Sequence, residues 1–431
     1  MKEGSEDAAT AIHEGVISFR GEIIEFATDL IEIGSVTGEE AAIQQWLHDY
    51  LEGMGLRVLS VPVEIERLRA TPGFIDVGPR EFHAASLVAI HDGSERKRSM
   101  LLNGHVDTVA AGNLEQWRRS PFDGVVTEGR LYGLGASDMK GGVAAIVMAL
   151  KILRAIGRPP KGRVLLECVV DEEVTGYGTL ACVARGFRAD AAIVAETSDL
   201  AICPACIGRL WFEIEVSVAP LGIAESWAAP SALDVGIMIV EGIKRFERER
   251  QARLSHPLFS DIRSATPCVV CELWSGSHPS SVPTQARLRG SAGLLPFEDV
   301  AAVEAEIVGA VHSLAERKDW PAGVESVISF KRVGADGVEI PREHAIVSCL
   351  ASAYERVTKE TPIIRGRAGG SDLRYLVKYG STPGVIFGPG LTSEMHKVDE
   401  AVPVENILQA TEVIALATYL WCSEDRLRGS R

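Results

Sequence analysis

Leu101-Leu102-Asn103-Gly104-His105-Val106-Asp107 is an apolar run that ends in His-x-Asp. In a strand, residues two apart share a face, so His105 and Asp107 are expected to point the same way at the strand's end. Open α/β sheets place their sites at that end. A neutral imidazole is a metal ligand, and a carboxylate that accepts the proton of its other ring nitrogen fixes tautomer and orientation. Asp107 is therefore read as the residue that orients His105, not as a ligand. The bland alternative is a hydrogen-bonded histidine at a strand end, and the residues downstream decide between the two.

At 431 residues and 46% hydrophobic content the chain is too long for one core, and two or three domains are expected. A net charge of −15, with no Lys/Arg cluster beside exposed aromatics, argues against nucleic acid or an anionic membrane as partner. The longest apolar segment, 142–153, is too short to span a bilayer, and the acidic start Met1-Lys2-Glu3-Gly4-Ser5-Glu6-Asp7 lacks an apolar export core. The expectation is a cytoplasmic globular protein. Cys203-x-x-Cys206 and Cys268-x-x-Cys271 resemble half-sites for zinc. Both pairs fall in strand-like segments, where residues three apart face opposite ways, so buried strand thiols are expected instead.

Phe19, Ile23, Ala27, Leu30 and Ile31 recur at helical spacing, and Thr37-Gly38-Glu39-Glu40 reads as a capping box opening a second helix. Strands are expected over 57–63, 85–91, 100–103, 163–170 and 191–194. Asp138 lies in Gly133-Leu134-Gly135-Ala136-Ser137-Asp138-Met139-Lys140-Gly141-Gly142, ahead of an apolar helix, where an N-cap is the ordinary role. The strand at 163–170 runs into Asp171-Glu172-Glu173, three carboxylates that repel one another unless a cation gathers them. The strand at 191–194 delivers Glu196. From Trp211 to Arg332 the order is β-α-β-β-α-β, a ferredoxin-like motif inserted as its own domain. The expected division is 1–208 and 333–431 for a catalytic metal-binding domain, and 209–332 for an inserted lid and dimerisation domain.

His105, Asp138, Glu172, Glu173, Glu196 and His396 each stand at a strand end or in a polar loop. Five N/O ligands without thiolate suit Zn²⁺, Mn²⁺ or Co²⁺. A bridging carboxylate with a His and a carboxylate for each ion would make a pair that lowers the pKa of water, with Glu172 left to take its proton. The motifs Gly104-His105-Val106-Asp107, Gly135-Ala136-Ser137-Asp138-Met139-Lys140-Gly141-Gly142, Asp171-Glu172-Glu173, Glu196-Thr197, Gly369-Gly370-Ser371-Asp372 and Phe387-Gly388-Pro389-Gly390 before His396 come in one order. In this the chain resembles the di-metal deacylase and peptidase family of acetylornithine deacetylase, succinyl-diaminopimelate desuccinylase, aminoacylase and glutamate carboxypeptidase. The resemblance implies an α/β fold, with a mixed-sheet catalytic domain bearing helices on both faces and an inserted ferredoxin-like α+β lid. It implies that Asp138 bridges, that His105 with Glu196 and Glu173 with His396 hold one ion each, and that Glu172 is the general base beside Asp107. It also implies a cis bond after Asp138 and a homodimer through the lid.

Two departures bear on substrate. Relatives carry a lid histidine that donates to the oxyanion; here Gly222 stands there, and losing such a donor typically costs about 2.7–4 kcal/mol. Relatives also carry an arginine at the position of Ser291, whereas here Arg289 lies two residues away on the same strand face. Arg289, Arg365 and Arg367, with Gly370 and Ser371 of the glycine-rich loop, are the expected contacts to a small carboxylate substrate. The missing donor favours attack of metal-activated water on an electron-poor ring carbon. Within the family the sequence resembles the branch that replaces the amine of 5-nitroanthranilate by hydroxyl with release of ammonia. The alternatives are an N-acyl amino acid deacylase or desuccinylase, and a binding protein without catalysis. One or two ions per subunit, Mn or Zn with Co as a further option, fit each enzymatic reading.

Overall fold

The computed structural model describes residues 2–318, 320–332, 334 and 336–425. The chain divides into two compact units: Met1–Ala205 with Glu339–Arg365 and Ser371–Arg431, and Cys206–Val338 with Gly366–Gly370. The boundaries expected at 208/209 and 332/333 thus fall at 205/206 and 338/339, and part of the glycine-rich loop returns to the second unit. Val333, where the sequence places the return to the first domain, lies outside the described residues.

In the first unit the strands Val164–Val169, Met100–His105, Ala191–Val194 and Gly384–Ile386 run parallel side by side. Ala85–His91 and Arg57–Pro62 extend one side antiparallel, and Ile202–Cys206 pairs antiparallel on the other. Every residue of Met100–His105 and Val164–Val169 is buried, as parallel strands covered on both faces require. Strand alternation shows what covers them. A side chain at Gly104 would meet Val143 and Ile146 of the central apolar helix, while Asn103 on the opposite face donates to Thr179 of the helix Tyr177–Ala184.

The helix Gly141–Ala155 is buried almost all round because it lies between the sheet and the helix Val404–Trp421. Gly142 permits that approach: a Cβ there would sit 1.9 Å from the carbonyl oxygen of Ala195. Gly142→Ala is therefore expected to destabilise the fold by about 3 kcal/mol, the upper end of ordinary overpacking, read as a lower midpoint in urea unfolding. An unchanged midpoint would mean that the helix can move away.

The second unit is the β-α-β-β-α-β motif read from the sequence: Gly208–Ser217, helix Ala232–Arg253, Cys268–Ser275, Gln285–Leu294, helix Val300–His312 and Glu325–Lys331. Its four antiparallel strands alternate, sending Leu210, Phe212, Ile214 and Val216 into a core with Val235, Ile239 and Ile243. Ser231 caps the first helix with a capping box to Asp234. Both Cys-x-x-Cys pairs lie in strands; Cys203, Cys206 and Cys268 are buried as expected, whereas Cys271 is exposed because alternation turns it to the other face of the sheet. Among the described residues no helix is long and apolar enough to cross a membrane.

The capping box expected at Thr37–Glu40 does not form. The helix Ala41–Gly53 starts without a side-chain cap, and the Thr37 hydroxyl instead donates to Asp107 Oδ2 at 2.9 Å. A buried carboxylate in need of donors outcompetes a local cap.

Candidate metal centre

The parallel register brings the carboxyl ends of three strands level, with His105 opposite Val169 and Asn103 opposite Val194. The residues that follow those ends, Glu172, Glu173 and Glu196, therefore converge with His105. Asp138 comes from a tight turn over Ala136–Lys140 whose Asp138–Met139 peptide is cis, and His396 from the loop that leads into the last helix. All six residues belong to the first unit.

His105 Nε2 lies 3.3 Å from Asp138 Oδ1 and 3.7 Å from Glu196 Oε1. His396 Nε2 lies 3.4 Å from Asp138 Oδ2 and 3.1 Å from Glu173 Oε2. Each oxygen of Asp138 thus faces a different histidine, as a bridging carboxylate between two ions requires. Two sets of donor atoms, His105 with Asp138 and Glu173, and His105 with Glu172 and Glu196, lie within 4.8 Å of one another. The donors fit hard or borderline divalent ions. Glu173 Oε1 is buried with no hydrogen-bond partner, a cost that a cation would relieve.

The electrostatics agree. Burial lifts Glu172 to about 7, opposed by His105 and helped by Glu196; burial and the charge of Asp138 lift Glu173 to about 8. Burial lowers His105, but Asp107, Asp138 and Glu196 outweigh it and hold it well above its usual value. Asp138 and Glu173 raise His396 to about 11. Without ions, protons have to compensate this crowding of carboxylates.

Asp107 acts differently from the strand-face expectation. The strand ends at His105, so alternation stops there, and His105 Nδ1 meets the main-chain oxygen of Asp107 at 3.0 Å, closer than its carboxylate at 3.5 Å. The carboxylate accepts the amides of Glu172 and Glu173, each at 3.1 Å. It orients both acidic residues as well as the histidine.

Several residues at the site escaped the sequence reading. Glu400 accepts three amides of the Asp138 turn. Arg80 pairs with buried Asp171, whose φ of 66° starts the acidic turn. Asn103 donates to Glu167 and Thr179, and Thr179 donates to Asp372, a polar chain beneath the site. Arg374, buried beside Asp372 and Glu172, donates to the carbonyls of Ser371 and Thr175. Asp171 and Asp372, each in a recognised motif, carried a sequence signal.

The expected substrate contacts are spread over both units. Arg365 donates to Ser198 O at 3.1 Å and Asp199 Oδ2 at 2.6 Å, and so fastens the chain just after Glu196. Arg367 in the second unit is buried and donates to Gly370 O. Ser371 is buried and caps Leu373 N. Arg289 is 45% exposed on the uncovered sheet face of the second unit, paired with Glu213 at 2.8 Å and stacked over Trp274.

Residues 101–419 match the profile of Peptidase family M20/M25/M40. Over 96% of the chain and 98% of the relative, the sequence is 28% identical to an N-formyl-4-amino-5-aminomethyl-2-methylpyrimidine deformylase of Bacillus subtilis. It is 27% identical to a succinyl-diaminopimelate desuccinylase of Rhodospirillum centenum, covering 92% and 97%. The fold superposes on human carnosine dipeptidase 1 with a TM-score of 0.74 at 15% identity, covering 96% and 99%. A tripeptidase of Staphylococcus aureus gives 0.73 at 18%, covering 94% and 99%. With the motif order, the mixed sheet and the two-histidine carboxylate cluster in agreement, the chain belongs to Peptidase family M20/M25/M40 and is a metal-dependent hydrolase of C–N bonds.

Proposed function

We propose that the chain hydrolyses the C–N bond of a small N-acylated carboxylate substrate, with Glu172 as general base. The observation that carries this is the cluster itself: Asp138 faces His105 and His396 with one oxygen each, and Glu172 lies within reach of His105 and Glu196. Manganese or zinc, with cobalt as a further option and one or two ions per subunit, would be held by His105, Asp138, Glu173, Glu196 and His396. Bound there, the ions supply the Lewis acidity that eases ionisation of water. Asp107 Oδ1 accepts the amide of Glu172 at 3.1 Å and so holds the backbone that presents its carboxylate as proton acceptor. The same proton then passes to the leaving nitrogen. Arg289 is the proposed partner of a substrate carboxylate. A cytoplasmic homodimer is proposed as well; Leu233 and Ile237, exposed on the helix Ala232–Arg253, favour a contact through the second unit.

The names of the relatives support a formyl or succinyl group as the acyl part. The second reading, exchange of the ring amine of 5-nitroanthranilate for hydroxyl, rests on Gly222, which offers no side-chain donor where an oxyanion would need one. Metal-loaded protein should release formate or succinate from N-formyl or N-succinyl amines, lose that activity to a chelator and regain it with Mn²⁺ or Zn²⁺. Ammonia from 5-nitroanthranilate without deacylation would reverse the order of the two readings. Inactivity on all three substrates in every metal form would sink both.

A further inference from the structure

We propose that Glu400 is a positioning residue that locks the loop bearing His396 to the turn bearing Asp138, and so sets the affinity of the centre for its ions. This rests on the reading of Asp138 and His396 as ligands. Glu400 is 1% exposed, and its carboxylate receives three main-chain amides: Ser137 at 2.8 Å and Asp138 at 2.9 Å on Oε1, Gly135 at 3.0 Å on Oε2. Gly135, with φ of 81°, curls the backbone so that these amides converge, the kind of concavity that holds an anion. Here the anion is a side chain from far along the sequence.

The neighbouring contacts make the same join. Glu400 O accepts Gly133 N at 2.9 Å, Ala401 O accepts the Ser137 hydroxyl at 3.1 Å, and Ser137 Oγ accepts Leu391 N at 3.1 Å. Ala401 then pairs with Tyr132 in a short ladder. His396 lies four residues before Glu400, a tether of at most about 14 Å when fully extended. It is 51% exposed on its side chain, so packing alone does not hold it. Arg118 on Asp399, Arg130 on Glu394 and Thr197 on Met395 also hold this loop, but Glu400 is the tether that touches the backbone of Asp138 directly. Groups behind the ligands commonly change metal affinity by about 10–100-fold when removed.

Glutamine is the sharp probe, because its one acceptor oxygen cannot serve all three amides and its NH₂ would face a donor. Metal-stripped wild type, Glu400→Gln and Ser137→Ala are titrated with Zn²⁺ and Mn²⁺ against a competing chelator, and their thermal unfolding is followed in the stripped state. The expected result is a dissociation constant about 10–100-fold higher for Glu400→Gln, and several-fold higher for Ser137→Ala, in protein that is still folded. A merely structural role would lower the melting temperature and leave the affinity of the folded protein intact, and that result overturns the proposal. If Glu400→Gln does not fold, Ser137→Ala decides, and wild-type affinity there overturns it too. Wild type that binds no ion would instead overturn the ligand assignment.

Discussion

Glu172→Gln is expected to lower kcat by about 10²–10⁴-fold, the usual contribution of a positioned proton acceptor, with the metal content of the protein unchanged. The substitution is nearly isosteric, and the amide of Glu172 keeps its bond to Asp107 Oδ1, so the acidic turn should hold its shape. An amide nitrogen or oxygen cannot take the proton of water at neutral pH, whereas a carboxylate can. Metal analysis alongside kinetics makes the result decisive, because His105, Glu172 and Glu196 also lie close enough together to share an ion. Loss of metal together with activity would make Glu172 a ligand, and full activity would remove it from the mechanism.

What the sequence reveals about this site is what strand ends reveal. His105, Glu173 and Glu196 follow apolar strands, and once those strands lie parallel their ends must meet, so a pattern of local runs was enough to predict the convergence. Asp138 and His396 follow no such strand and were legible only through the motif order. Local rules failed where a long-range partner won. Thr37 looked like a helix cap and became a donor to Asp107; Asp107 looked like one more residue of a strand that in fact stops at His105. Glu400 stands in a polar loop and carries no local pattern that marks it. Its three amide partners lie more than two hundred and fifty residues earlier, and hydrogen bonds to backbone leave no mark on side-chain identity. The second unit was the easier part, since the strand Gly208–Ser217 alternates without a break and Val235, Ile239, Ile243 and Phe246 recur at helical spacing on one stripe of the helix Ala232–Arg253.

The largest effect on stability is expected at a residue with no part in the chemistry. Glu167 is fully buried in the strand Val164–Val169, where Asn103 Nδ2 donates to its Oε2 at 3.1 Å and its Oε1 has no partner. Burial pushes its pKa to about 8, only weakly opposed by Asn103. In the unfolded chain it titrates near 4.5. Between those two values the folded protein holds a proton that the unfolded chain has released, so stability is fully present below the lower value and falls as pH rises toward the upper one. Over that window the loss approaches about 4–5 kcal/mol. Glu167→Gln keeps an acceptor for Asn103 and carries no proton to lose. At pH 4 the two proteins should respond alike to urea, and by pH 8 the variant should be the more resistant by most of that amount. Both have to be compared in the same metal state, because ions bound only by the folded form add their own pH-dependent term. Parallel stability curves for the two proteins would show that Glu167 is ionised inside the fold, and the strand that delivers the acidic turn would then have to hold a buried charge on one amide.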